Sequence, residues 1–244
     1  MRIKIDSILV RKYSKNNPSE KPSEIQMNNE VSWMIGFWIG DNWSNREGSV
    51  VRRGKRSSGK FGINNNDEEN ISRFLKGLRN QFGINNIKID VQVPRNQKLR
   101  KEVLRDEVSK RFGIDPSHVN VYFGSPWRKK IGYTVYTNNT FLLRLVFNEI
   151  YKKIPELMET LSISDLMQGI ADSEGTVDKA NMLVSITNKD KFVLDIVERC
   201  LESLNIEFSK RQDRDRTRID IRDIKGFEEN IGFNTHRNES SCQR

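Results

Sequence analysis

Two short apolar segments of this chain each end in a carboxylate, and these two acids are the residues best placed to do chemistry. Residues 33–42 read WMIGFWIGDN and residues 166–175 read LMQGIADSEG, so Asp41 and Glu174 occupy matching ends. If both segments are helices, each acid lies at a C-terminus, where the helix dipole disfavours it by about 0.3–1 kcal/mol. A divalent cation would reverse that penalty. We therefore expect a metal-binding pair rather than two ordinary polar helix exits.

Carboxylate oxygens are ligands for hard cations such as Mg²⁺, which keeps several waters and bridges substrate phosphates. Two such ions about 4 Å apart can activate a water and stabilise the leaving oxygen during phosphodiester hydrolysis. The acids thus indicate metal-dependent chemistry on nucleic acid. Asp172 is the weaker ligand candidate, because it lies two positions before Glu174 and its counterpart in the first segment is the apolar Ile39.

Small residues four positions apart indicate how the two segments pack. Gly36 and Gly40 in the first segment correspond to Gly169 and Ser173 in the second. Residues i and i+4 share a helix face, and glycine lets two backbones approach closely. The spacing predicts two helices packed against each other, with their terminal acids brought together.

The segments belong to an internal repeat. The offset between their glycines is 169 − 36 = 133 residues, and the offset between their acids is the same. Downstream, residues 63–67 and 186–190 match, and each is followed by a helical pattern. The repeat predicts an N-terminal extension at 1–27, a first lobe at 28–155 and a second lobe at 156–244. Residues 95–118 have no counterpart and are predicted to be an insertion in the first lobe.

The periodicity of the hydrophobic residues predicts strands and helices in each lobe. Phe74, Leu78 and Phe82 are typical of one face of an amphipathic helix, while Val91 and Val93 alternate with polar residues as in a strand. The predicted elements are a hairpin at 48–60, helices at 67–82, 97–112, 138–149, 190–204 and 226–233, and strands at 3–10, 87–93, 119–123, 131–136, 182–187 and 216–222.

Composition points to an anionic partner. The formal net charge is +9 and the pI is about 9.5, which favours nucleic acid over a merely solubilising surface. No apolar run approaches the roughly 18 residues that span a bilayer, and the N-terminus is too charged for a secretory signal. Two cysteines provide no disulfide framework, and Cys200 is expected in the core. We expect a cytoplasmic protein without membrane contact, although an organellar host stays open.

Basic side chains follow the predicted strands. Between residues 214 and 222, arginines alternate with Thr217, Ile219 and Ile221, so a basic row should share one sheet face. A two-stranded ribbon fits the major groove, where Arg reads guanine, although each basic residue could also be solvated or contact only phosphate. The DNA-binding candidates are Arg52, Arg53, Lys55, Arg56, Lys60, Arg128, Lys129, Lys130, Arg214, Arg216, Arg218 and Arg222.

These residues and their repeat resemble the LAGLIDADG homing endonucleases in the single-chain, two-motif form. The motif maps onto residues 34–42 and 167–175, and the family's metal-binding acid falls on Asp41 and Glu174. The likeness covers nearly all of the chain from about residue 28. Asn42 stands where a final glycine is usual, and Ile39 where Asp is common.

The resemblance implies a mixed α/β (α+β) fold of two pseudo-symmetric lobes, each with a curved antiparallel DNA-binding sheet, joined through the packed motif helices. It implies Mg²⁺ or Mn²⁺ bound by both acids and by the backbone at Asn42 and Gly175. Asn65 and Asn188 are then candidates to orient water, and Arg237 to stabilise developing charge. Lys60 and Lys189 are weaker candidates.

The function that the resemblance implies is site-specific hydrolysis of both strands of double-stranded DNA. The target would be long and asymmetric, the products would carry 3′ overhangs, and the biological role would be intron-encoded homing by a monomer. An RNA maturase with intron RNA as its partner, or a DNA-binding regulator on the same scaffold, is the alternative. A third hypothesis, a generic basic α/β structural protein, would not explain the matched acids Asp41 and Glu174.

Overall fold

The structure, a computed structural model, describes residues 2–4, 24–41, 60–125, 129–138, 150–178 and 180–233. The predicted hairpin at 48–60, the predicted helix at 138–149 and most of the predicted strand at 3–10 therefore lie largely outside the described residues. The chain forms two compact units. One comprises Met1–Ile3, Gln26–Asp41 and Val146–Arg244, and the other comprises Lys4–Ile25 and Asn42–Leu145. The first motif helix thus belongs to the same unit as the second lobe.

The unit that holds both motif helices contains a four-stranded antiparallel sheet. Its helices are α1 (Asn29–Asp41) and, in the second lobe, α4 (Ile154–Leu157), α5 (Ile163–Glu174), α6 (Lys191–Ser203) and α7 (Ile224–Asn230). Its strands are β7 (Gly175–Asp178), β8 (Leu183–Asn188), β9 (Phe208–Asp213) and β10 (Arg216–Ile221), in the order β7-β8-β10-β9.

Helix α6 covers one face of this sheet because its apolar residues recur at helical spacing. Val193, Ile196, Val197 and Cys200 are buried on one side of the helix. The side chain of Asp190 caps its N-terminus by accepting a hydrogen bond from the Phe192 amide at 3.0 Å, which satisfies an otherwise unpaired donor. The core position predicted for Cys200 is confirmed.

The other unit contains a mixed sheet. Its helices are α2 (Glu68–Phe82) and α3 (Lys101–Phe112), and its strands are β3 (Phe61–Asn65), β4 (Lys88–Pro94), β5 (Val119–Ser125) and β6 (Gly132–Thr137). The strand order is β3-β6-β4-β5. Strands β4 and β5 are parallel, whereas the other pairings are antiparallel. A short sheet of β1 (Arg2–Lys4) and β2 (Glu24–Gln26) completes the described strands.

Helix α2 begins and ends at recognisable sequence signals. The Asp67 carboxylate accepts from the amides of Glu69 and Asn70, both at 3.1 Å, and Gly83 stops the helix with φ +64°. A left-handed residue of this kind suits glycine because it has no Cβ. The basic helix, predicted from residue 97, begins at Lys101 instead, since residues 97–100 follow the turn that ends β4.

The two large sheets share a common part. In sequence order, β3, α2, β4 and β6 correspond to β8, α6, β9 and β10, and in both sheets the first strand pairs with the last and the last with the middle one. The repeat read from the sequence is therefore a repeat of topology. What remains in the first sheet is the connection through α3 and strand β5, which add one strand beyond β4.

Candidate active site

Helices α1 and α5 meet backbone to backbone at their small residues. A Cβ atom added to Gly169 would lie 2.6 Å from the Phe37 nitrogen and would overlap the Trp33 carbonyl oxygen. A Cβ atom at Gly36 would overlap the Leu166 carbonyl oxygen and lie 3.0 Å from its carbon. Only glycine fits both positions without movement of the helices. The packing predicted from the glycine spacing is thus present.

The C-terminal ends of the two helices converge at the acids. A Cβ atom at Gly40 would lie 2.8 Å from Cγ of Glu174 and 2.7 Å from Cβ of Ser173. Asp41 is the last residue of α1 and Glu174 is the last residue of α5, and both side chains are partly buried. The helix contact therefore places Glu174 directly against the turn of α1 that carries Asp41.

Glu174 lies where its charged form is disfavoured. Burial raises its pKa to about 7, and the positive charge of Arg216 partly opposes this shift. The Asn188 side-chain amide donates to Oε1 of Glu174 at 3.3 Å. A partly desolvated carboxylate at a helix C-terminus, beside the end of a second helix with its own acid, is a suitable position for a divalent cation.

The available donors fit a hard cation that retains water. The described part of the chain contains no cluster of three or more His, Cys, Asp or Glu side chains that could hold a metal ion by themselves. Asp41 and Glu174 can each offer carboxylate oxygens, and Gly175 offers a backbone carbonyl directly after Glu174. Mg²⁺ commonly takes one or two carboxylates and completes its shell with water and phosphate. Asn42 lies outside the described residues.

Asp172 has a structural partner. It is buried, and its Oδ2 accepts a hydrogen bond from Nε1 of Trp33 at 2.8 Å across the helix contact. This bond explains why an acid is tolerated inside the interface, since a buried carboxylate needs a donor. Asp172 thus contributes to the contact between the two motif helices.

The two asparagines at the ends of matching strands make the same turn. Oδ1 of Asn65 accepts from the Asp67 amide at 2.7 Å, and Oδ1 of Asn188 accepts from the Asp190 amide at 2.9 Å. In each case the following Asp then caps a helix. Asn188 also reaches Glu174, so the structure brings one of the two asparagines to an acid. Asn65 belongs to the other compact unit.

The arginines of β9 and β10 form an ordered network on the sheet face opposite α6. Asp220, 6 % exposed, accepts from the Ser185 hydroxyl at 2.9 Å. Its oxygens also pair with Nε of Arg218 at 2.5 Å and with Nε of Arg211 at 2.9 Å. Asp220 is therefore the buried anchor of the basic row and not a solvated member of it. Arg211 was not among the predicted DNA-binding residues, and the hairpin register places it beside Arg218.

The other basic candidates have varied placements. Arg216 and Arg222 are exposed, and Arg214 occupies the β9–β10 turn with φ +57°. Lys129 and Lys130 are exposed before β6, and Nζ of Lys60 lies 4.5 Å from the centre of the Tyr136 ring. Lys189 pairs with Asp215 rather than with an acid of the site. Arg52, Arg53, Lys55, Arg56, Arg128 and Arg237 lie outside the described residues.

The second motif helix and the sheet that follows it are similar to a known protein family. Residues 163–232 match the family model of the LAGLIDADG-like domain, which confirms the recognition made from the motifs. No curated protein sequence matches the chain.

Among solved structures, the chain is similar to I-DmoI. A complex of I-DmoI with DNA and Mn aligns with a TM-score of 0.52 and 17% identity, covering 85% of this chain and 98% of that chain. Mesophilic variants of the homing endonuclease I-DmoI give 0.51 and 17%, covering 84% and 95%. A glycine-to-serine variant of I-DmoI with its target DNA and Mg gives 0.50 and 17%, covering 83% and 95%. At this identity the shared property is the fold, which confirms the predicted mixed α/β class.

None of the helices in the described segments is long and apolar enough to cross a membrane.

Proposed function

We propose that the chain is a site-specific, divalent-metal-dependent endonuclease that hydrolyses both strands of a double-stranded DNA target. The observation that carries this proposal is the convergence of α1 and α5 on Asp41 and Glu174, through contacts that only glycine permits. The arginine-bearing face of β9 and β10 and the net charge of +9 suit a polyanionic substrate. The similarity of fold to I-DmoI, whose complexes contain target DNA with Mn or Mg, supports the same assignment.

Asp41 and Glu174, with the backbone at Asn42 and Gly175, would hold Mg²⁺ or Mn²⁺. When bound, the metal would lower the pKa of a water nucleophile and neutralise charge on the scissile phosphate. Asn188 keeps the Glu174 carboxylate oriented through its amide, and Arg216 supplies positive charge beside it. Arg237 and Asn65 stay candidates for charge stabilisation and water orientation.

The finer features of the proposed reaction are those that the family resemblance implies. Two acids on adjoining helix ends would act on opposite strands, and we propose cleavage across the minor groove with short 3′ overhangs. Unequal lobes imply a long, asymmetric target recognised by a monomer. We propose homing of an intron as the biological role, with the uninterrupted insertion site as substrate.

The test is cleavage of a DNA library that contains the sequence flanking the host intron, in Mg²⁺ and in excess EDTA. We expect Asp41→Asn and Glu174→Gln to abolish cleavage while binding of the selected target persists, because both changes keep side-chain size and remove only the metal-binding charge. Glu156→Gln removes one exposed carboxylate from α4 and should cut like the parent.

Parental cleavage rates in either acid variant would refute the site assignment. Selective binding of the intron transcript, with no cleavage of the exon-junction DNA in Mg²⁺, would instead favour a maturase.

A further inference from the structure

Strand β5 is the part of the first sheet that the repeat does not explain. Strands β3, β6 and β4 have counterparts in β8, β10 and β9, whereas β5 follows the crossover helix α3 and pairs in parallel with the outer side of β4. In the second sheet the strand that corresponds to β4 is the edge strand. The segment without a counterpart thus comprises α3 and β5, and it widens the sheet by one strand.

The added strand continues a polar face of the sheet. Asp90 is level with Asn120, and Gln92 is level with Tyr122. The alternate residues Ile89, Val91, Val119 and Val121 are buried on the opposite face. On that buried face, Phe61 of β3 stacks against Phe74 of α2, the counterpart of α6. The face carrying Asn120 and Tyr122 is thus the one that corresponds to the arginine face of β9 and β10.

The tyrosine side chains on this polar face are more exposed towards β5. Tyr136 on the central strand is 6 % exposed, whereas Tyr122 on β5 is 54 % exposed. A tyrosine this exposed offers both an apolar ring and a hydroxyl to a ligand. Lys129 and Lys130, both exposed, come just before Gly132, which is level with Gln92. The open end of the face therefore combines polar side chains with adjacent positive charge.

Asn120 is held in a defined orientation. Its side-chain amide donates to Oδ1 of Asp90 at 2.9 Å, and the Tyr136 hydroxyl approaches the same oxygen at 3.4 Å. One amide hydrogen of Asn120 is thus directed to Asp90, which leaves a second hydrogen and the amide oxygen for a ligand. An amide that offers one donor and one acceptor matches the major-groove edge of adenine.

We propose that strand β5 extends the DNA-reading surface of the first lobe, with Asn120 and Tyr122 as specificity-determining residues for the outer end of that half-site. This proposal rests on the proposed function. Strands lie about 4.8 Å apart and base pairs about 3.4 Å, so one strand adds one to two base pairs. Asn120 selects adenine there, and Tyr122 contacts the neighbouring base. The half-site read by the first lobe is accordingly the longer one.

The experiment is selection of bound DNA from a randomised pool by the full-length chain, in the Glu174→Gln background so that bound DNA is not cut. The variants are Asn120→Ala and Tyr122→Ala. Phe123→Ala is the matched control, since Phe123 is the next residue on the same strand, is 44 % exposed and lies on the opposite face. Asn80→Ala, exposed on α2, controls for loss of an amide.

We expect the parent to select a target with an adenine preference of about tenfold at an outermost position of one half-site. Asn120→Ala should reduce that preference to about onefold, and Tyr122→Ala should relax the adjacent position, while both leave the rest of the target unchanged. Phe123→Ala and Asn80→Ala should select the parental sequence.

Two results would overturn the proposal. Parental selectivity in Asn120→Ala and Tyr122→Ala would show that β5 does not read bases, and a uniform loss of affinity without a change of sequence would show that it contacts only the phosphate backbone. If the parent selects no DNA at all, the proposed function fails, and the role of β5 in DNA reading fails with it.

Discussion

Glu174 is a carboxyl group whose surroundings favour its protonated form. Burial raises its pKa to about 7, and Arg216 lowers it only in part. A cation placed beside this group would favour the ionised form, so metal binding and deprotonation are linked. Glu174, the acid of the second motif, is thus also a residue whose pKa the fold raises.

This shift predicts how stability depends on pH in the absence of metal. Below about pH 4.5 the carboxyl is protonated in both the folded and the unfolded chain, so Glu174 and a glutamine are equivalent. As pH rises towards 7, only the unfolded chain releases the proton, and the parent loses stability. We therefore expect Glu174→Gln to become more stable than the parent by up to about 3 kcal/mol above pH 7.

The measurement is denaturant unfolding of both proteins in EDTA from pH 4 to 8. The difference between them isolates Glu174, since all other groups titrate in both. A difference that stays constant over this range would contradict the shift. Added Mg²⁺ should stabilise the parent more than the variant at pH 8.

Side-chain roles were only partly predictable from the sequence. Asp41 and Glu174 could be predicted as a pair because they are 174 − 41 = 133 residues apart, which is the offset of the repeat. The anchoring role of Asp220 could not be predicted, because the alternation of the strand only assigns this residue to the arginine row. Its burial is explained by the hydrogen bond from Ser185 on the neighbouring strand. The turn made by Asn188 likewise depends on a backbone amide two residues later.

At the scale of elements, the two motif helices pack closely because glycines, which have no side chain, lie at their contact. Gly36 and Gly169 each face the backbone of the other helix. Close backbone contact leaves no freedom for side chains to accommodate a change. The position of the acids therefore depends on residues that do no chemistry.

Gly36→Ala should destabilise the fold by about 3 kcal/mol or more, because its new methyl group meets a backbone carbonyl that cannot rotate away. Gly83→Ala is the control. Gly83 has φ +64° with open space around its Cβ position, so the cost there is only the backbone strain of about 1–2 kcal/mol. Denaturant unfolding of both variants compares the two costs. A smaller loss at Gly36 than at Gly83 would mean that the helices do not meet backbone to backbone.

Elements whose pattern is local were predictable, and their partners were not. Helix α2 has an apolar stripe, a capping Asp67 and a terminal Gly83, all legible in sequence. The alternation of Val119 and Val121 identifies β5 as a strand, but its parallel pairing with β4 depends on how α3 crosses the sheet. Alternation alone cannot state which strand is adjacent.

At the scale of the whole molecule, the proposed association with nucleic acid would depend on net charge. With a net charge of +9, we expect the logarithm of the binding constant to fall linearly with the logarithm of salt concentration. This contribution carries no sequence information.

Arg216→Ala should reduce the magnitude of the salt slope by about one, because an exposed arginine on the sheet face would contact a phosphate. Lys225→Ala is the matched control, since it removes one positive charge from the exposed side of α7. Titration of a nonspecific duplex from about 50 to 200 mM salt measures both slopes. Equal changes in the two variants would show that net charge, and not this face, determines binding.

The hydrogen bond between Trp33 and Asp172 makes the two halves non-interchangeable. The repeat offset relates this pair to Leu166 and Ile39, which are both apolar and buried. A dimer of two second halves would place each Asp172 against Leu166 and remove the Trp33 donor from both carboxylates, whereas a dimer of two first halves would place each indole against Ile39. Because the donor lies in one half and the acceptor in the other, pairing of unlike halves is favoured over pairing of two identical halves.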